Sequence, residues 1–141
     1  MPEIINHCLH FTPDNLRKVE EHYDAKFVVS TEHKGVSCSV FYTAEPHPVS
    51  KSRYMALYYQ AGNLMVTNGA WIEDQEIDAV ESGGEIIFSR HRHDFFCTSD
   101  KEICIDGGRE YHRLVGNIHG CKRHTLIVRD GTLQIATPTE L

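Results

Sequence analysis

Between Glu85 and Arg113 the chain reads EIIFSRHRHDFFCTSDKEICIDGGREYHR, its densest stretch of polar chemistry. Arg90, His91, Arg92, His93 and Asp94 are consecutive, and Asp106-Gly107-Gly108-Arg109 follows after a hairpin-like interval. Guanidinium groups are planar forks that match phosphate or carboxylate oxygens. Arg90, Arg92, Arg109 and Arg113 are therefore candidates to hold an anion, with His93, Asp94, Asp106 and Tyr111 orienting it or one another. Gly107 and Gly108 permit positive φ and a close backbone approach. Arg109, Tyr111 and Arg113 share one side of an extended chain. In the purely structural alternative, Arg92–Asp94 and Asp106–Arg109 are ion pairs that hold turns and bind nothing.

A divalent metal is the second chemistry these residues could support. His91 and His93 at i, i+2 lie on one strand face and could chelate one ion, with Cys97, Cys104 or Asp106 completing the set. A metal-dependent hydrolase or lyase is the function that reading implies. The third chemistry is a thiolate–imidazolium pair between Cys97 or Cys104 and His91 or His93. No cysteine-hydrolase signature surrounds either Cys, so a cross-strand pair of half-buried thiols is the simpler account.

The strand geometry that presents these groups is a hairpin. Ile86–Thr98 reads as one strand, Ser99–Lys101 as the turn and Glu102–Asp106 as the return, which sets Cys97 opposite Cys104 and Phe95 opposite Asp106. Before it, Thr12, Pro13 and Asp14 signal a helix start, and Leu16, Val19 and Tyr23 give its apolar stripe up to Asp24. Strands are expected at Lys26–Thr31, Val36–Thr43, Tyr54–Gln60 and Leu64–Thr67, with Asn68-Gly69 turning into Ala70–Glu73. Residues 74–80 are ambiguous between strand and turn, and 116–123 read as a loop. The alternation of Leu126 and Val128 against Leu133 and Ile135, around Asp130-Gly131, predicts a closing hairpin. The fold class is α+β: one domain over 1–141, a curved antiparallel β meander with one N-terminal helix packed on it. Three weaker signals remain: an aromatic set (Tyr42, Tyr54, Tyr58, Tyr59, Trp71), a His47/Arg53 proline loop placed as a lid, and a basic run at His119–His124.

Composition excludes several classes. A formal charge of −6 over 141 residues argues against a non-specific nucleic-acid binder. No apolar run approaches the roughly 20 residues a membrane span needs. The N-terminal stretch MPEIINHCLHF lacks the basic region and apolar core of a signal peptide, which points to the cytoplasm. Five cysteines without a CxxC pair are, in that compartment, expected to be free thiols. Curved sheets leave edges, so a homo-oligomer is also expected.

The segment also resembles a motif in small uncharacterised proteins of bacteria and their phages: an Arg-His-Asp-aromatic block, about a dozen residues, then Asp-Gly-Gly-x-x-Tyr-x-Arg. Arg92, His93, Asp94, Phe95, Asp106, Gly107, Gly108, Tyr111 and Arg113 match it. Where some of those proteins carry zinc-knuckle cysteines, this chain has Ser82–Gly84 and Ser99–Lys101. The resemblance implies a small phage or prophage accessory protein that shares this Arg/His/Asp hairpin, and no activity beyond that. The cationic hairpin within an otherwise acidic chain points to capture of an anionic, nucleotide-like small molecule or to inhibition of a host protein.

Overall fold

The computed structural model describes residues 2–33, 35–69, 75–91, 94–107, 113–116, 119 and 121–136. The helix α1 spans Pro13–Tyr23 and starts where the sequence signals it. Thr12 is extended, and its Oγ1 accepts a hydrogen bond from the Asn15 N–H at 3.2 Å. Asp24 ends the helix in the left-handed region at φ 49°, donating its N–H to the carbonyls of Glu20 and Glu21. Leu16, Val19 and Tyr23 then pack on Ala25, Phe41, Met55 and Leu57.

Those last residues belong to a four-stranded antiparallel sheet, β2 (Ala25–His33), β3 (Val36–Thr43), β4 (Tyr54–Gln60) and β5 (Asn63–Asn68), in chain order. Its other face carries Val29, Cys38, Val40, Tyr54 and Ala56. These pack against Ile77, Ala79, Ile86, Leu126 and Val128 of a five-stranded sheet, and against Phe88 just beyond it, to make the main core. That sheet runs β1 (Glu3–Ile4), β7 (Glu85–Ile87), β6 (Glu76–Ser82), β11 (Lys122–Arg129) and β12 (Thr132–Ile135). The two sheets curl into a half-barrel. Gly131, in the β11–β12 turn, donates its N–H to the Tyr54 hydroxyl across the seam at 3.1 Å.

A three-stranded sheet, β8 (Phe96–Cys97), β9 (Ile103–Asp106) and β10 (Arg113–Gly116), covers the outer side of β6 and β7. Ile103 and Ile105 bury there against Val80 and Ile87, with Ile5, Phe96 and Leu114 alongside. The described residues are thus mainly β with one helix, within the expected α+β class.

The meander expectation holds from β2 to β5 and from β8 to β10, and fails in the five-stranded sheet. β6 pairs with β11, far along the chain, and β1 pairs with β7 in parallel. Burial on both faces explains this. Ile77 and Ala79 point into one core and Val80 into the other; Ile86 and Phe88 oppose Ile87 in the same way. Strands covered on both sides take central places, which require non-local neighbours. Residues 74–80 resolve into β6 from Glu76 onward, and the expected loop at 116–123 gives way to β11 from Lys122. The closing hairpin has the expected register, Leu126 opposite Ile135 and Val128 opposite Leu133. The expected strand Ala70–Glu73 lies outside the described residues, apart from the turn that precedes it.

Candidate functional site: two loops clamped by Arg–Asp pairs

The single strand expected over Ile86–Thr98 is not formed. β7 ends at Ile87, and pairing resumes only at Phe96 in β8. The cause is the polar block itself. The Asp94 N–H donates to the His91 carbonyl at 2.9 Å, turning the chain back on itself. Asp94 Oδ2 accepts from the Arg90 backbone N–H (2.8 Å) and Nε (2.7 Å), while Oδ1 accepts from Nη2 (2.9 Å). The buried Ser89 hydroxyl lies 2.8 Å from the Asp94 carbonyl and 3.1 Å from that of His91. A strand would direct Arg90 and Asp94 to one face but four residues apart; the ion pair wins by bending the backbone into a loop.

Arg90 has further partners. Nη1 donates to the His7 carbonyl at 3.2 Å, and Cζ sits 5.1 Å from the centroid of the Phe96 ring. Burial pushes the Asp94 carboxyl upward, but Arg90's hydrogen bonds and charge, with His91's charge, outweigh it and hold the group below the usual carboxylate range. Arg90 and Asp94 are therefore bound to each other, and the fork of Arg90 is not presented to a guest. Ion pairing of this kind was the structural alternative for the block, with Arg92 rather than Arg90 as the expected partner.

A second loop has a similar base. Arg113 stands opposite Asp106 in the β9–β10 register, and its Nη2 donates to Asp106 Oδ2 at 3.1 Å. Asp106 Oδ1 accepts the Gly107 N–H at 2.8 Å, and Gly107 has φ 96°, the region that favours glycine. Asp106 thus pairs with Arg113; its expected partner Arg109 is not among the described residues. Arg92, His93, Gly108, Arg109 and Tyr111 lie outside the described residues. Of the predicted anion-holding set, Arg90, Asp94, Asp106 and Arg113 form the two loop bases. The register Phe96 to Ile105 and Cys97 to Cys104, continued outward, places Phe95 beside Asp106, so both bases occupy one end of the three-stranded sheet.

The cysteines differ from expectation. Cys97 and Cys104 are opposite each other, as the hairpin predicts, but they form a disulfide rather than two free thiols. Cys8, Cys38 and Cys121 remain thiols. The bridge withdraws Cys97 and Cys104 both as metal ligands and as nucleophiles. Among the described residues no three His, Cys, Asp or Glu are grouped to hold a metal ion, and His93, the expected partner of His91, is outside them.

Sequence reading missed the N-terminal segment that meets the first loop. His10 Nε2 is buried without a hydrogen-bond partner, and its ring stacks edge-on against Tyr59. Burial lowers the His10 pKa; a hydrogen bond to the Ser37 backbone partly offsets this, and the charge of His91 lowers it further. His10 thus lies within electrostatic reach of the Arg90–Asp94 loop. Nearby, Ser30 and Ser39 hydrogen-bond across β2 and β3 at 3.0 Å, Leu9 N–H donates to Ser30 Oγ, and Ser37 Oγ is buried without a partner. The signal was present in the sequence: Ser37 and Ser39 alternate with Phe41 on one face of β3. The helix covers the apolar half of that face, and Cys8 to His10 cover the polar half.

Most of the weaker signals among the described residues resolve as scaffold; Trp71 lies outside them, and Tyr59 is exposed beside His10. Tyr42 and Tyr54 stack at 5.1 Å in the inter-sheet core, with Tyr58 packed against it. Arg53 donates to the Thr43 and Ala44 carbonyls and stacks 4.2 Å over Tyr42, while His47 Nδ1 accepts from Val49 and Ser50. The proline loop so folded borders a cleft of about 310 Å³ at the end of α1, with Tyr23, Asp24 and Met55. Within the basic run, His124 Nε2 meets Glu81 Oε1 at 2.7 Å. No described helix is long and apolar enough to cross a membrane. Comparison with known protein families, curated proteins and solved structures finds no match to this chain.

Proposed function

We propose that the chain binds a small anionic molecule, nucleotide-like in chemistry, at the tips of the Arg90–Asp94 and Asp106–Arg113 loops. The Arg90–Asp94 clamp carries this reading. A five-residue loop closed by three hydrogen bonds onto one carboxylate is rigid at its base, with His91, Arg92 and His93 between its ends. A loop whose base is already fixed loses less entropy when its groups engage an anion. The second loop contributes Arg109 and Tyr111, with Gly107 and Gly108 allowing close approach. Arg90, Asp94, Asp106 and Arg113 serve as positioning residues rather than contacts.

Thermal denaturation with inorganic phosphate and with nucleoside mono- and triphosphates tests the reading. A ligand at 100 times its Kd should add about 2.7 kcal/mol of stability, and Arg92→Ala or Arg109→Ala should remove the gain. If the unmodified protein ignores every phosphate compound at millimolar concentration, small-molecule capture is wrong. Co-purification of an intact protein partner, lost in the same two variants, would then favour host-protein inhibition by these loops.

A further inference from the structure

The disulfide lies where a staple has least to do. Ile103 and Ile105 are fully buried on the inner side of β9, so Cys104, between them, faces the outer side together with Cys97. β8 is an edge of its sheet, only two residues long, and Cys97 on it is partly exposed. The ring closed by the bridge spans a sequence separation of 7 and is closed already by hydrogen bonds. The Thr98 N–H donates to Ile103 O at 2.9 Å; Asp100 Oδ1 accepts from Thr98 Oγ1 (2.6 Å) and the Glu102 N–H (3.0 Å). Loop-closure entropy is smallest for short rings, so the hairpin gains less from this bridge than from a long-range one.

What the bridge does fix is β8. Phe96, adjacent to Cys97, sits between the Arg90 guanidinium at 5.1 Å and the His7 ring at 5.8 Å. Through Phe96, the bond is coupled to the base of the Arg90–Asp94 loop, two residues upstream.

We propose that Cys97–Cys104 is a reversible redox site, opened by a dithiol reductant of the thioredoxin type, and that its state sets how firmly the Arg90–Asp94 loop is held. A reductant thiolate attacks Sγ of Cys97, the partly exposed residue of the pair, Cys104 being buried. The Cys97–Cys104 bond breaks, and Cys104 leaves as a thiolate that takes up a proton. The second reductant thiol then displaces Cys97 from the mixed disulfide. The dithiol ends as a disulfide, having given two electrons and two protons, and the protein ends with two thiols. Any effect on ligand affinity rests on the anion-site reading, whereas the redox step does not.

The test uses the full chain purified without reductant and equilibrated, under native conditions, with mixtures of reduced and oxidised dithiothreitol. Free thiols are trapped with N-ethylmaleimide and mapped by peptide mass. Amide exchange of the oxidised and reduced forms is compared over residues 88–98. The expected result is alkylation at Cys97 and Cys104 only after reduction, reversal on reoxidation, and roughly tenfold or faster exchange at Asp94 and Thr98 in the reduced form. Cys97→Ser with Cys104→Ser should reproduce the reduced pattern; should that variant misfold, the reduced unmodified chain gives the same comparison. A bond that yields only in denaturant, cysteines that stay thiols under the oxidising mixture, or equal protection in both states would each overturn the proposal.

Discussion

Replacing Asp94 with alanine should destabilise the fold through Arg90. Removing one member of a buried ion pair costs about 3–5 kcal/mol, because the other charge stays behind without compensation. Here the side chains are 12% and 9% exposed, and Asp94 accepts three N–H groups from one residue. Arg90 keeps two supports in the variant, the His7 carbonyl and the Phe96 ring. Those place the expected loss at the low end, about 3 kcal/mol, or about 10 °C in Tm for a chain of this size. Urea titration at pH 7 measures it, with an unchanged m-value showing that the folded state is intact. Replacing both Arg90 and Asp94 with leucine should cost less than Asp94→Ala alone, since no buried charge is left unmatched. The carboxyl is held below its ordinary pKa, so its contribution is complete above about pH 4 and fades as pH falls through the folded-state value. The gap between Asp94→Ala and the unmodified protein should therefore close in acid. A cost under about 1 kcal/mol at pH 7, typical of exposed pairs, would refute the description of this pair as a clamp.

Three further outcomes follow from other parts of the fold. A Cβ on Gly131 would stand 2.5 Å from the Tyr42 ring, and φ there is 78°, so Gly131→Ala should cost about 2 kcal/mol or more, seen by thermal denaturation. His10 is held neutral by burial, so it contributes stability that is complete above its unfolded pKa of about 6.5 and is lost as pH falls through the folded-state value. His10→Gln should flatten that part of the stability–pH curve. Phe41 is fully buried under the helix, and Phe41→Ala should cost about 3–5 kcal/mol, measurable by urea unfolding.

Local chemistry determined much of this protein. Thr12, Pro13 and the Leu16–Val19–Tyr23 stripe specify α1 because capping and amphipathic periodicity act within a few residues. Alternation and the Asp130-Gly131 turn likewise fix the closing hairpin, and the hairpin count from Cys97 to Cys104 fixes their register. Only the tertiary structure decided three things, each a competition between distant or alternative partners. Whether β6 pairs with β5 or β11 depends on which arrangement buries both Ile77 and Val80, and no local window contains that information. Whether Arg90 closes onto Asp94 depends on the strand giving way to a turn, supported by His7 from the far end of the chain. Whether His10 matters at all depends on a polar patch left beside the helix, assembled from β2, β3 and the N-terminal segment. Spacing along the chain proposes partners; burial in three dimensions chooses among them.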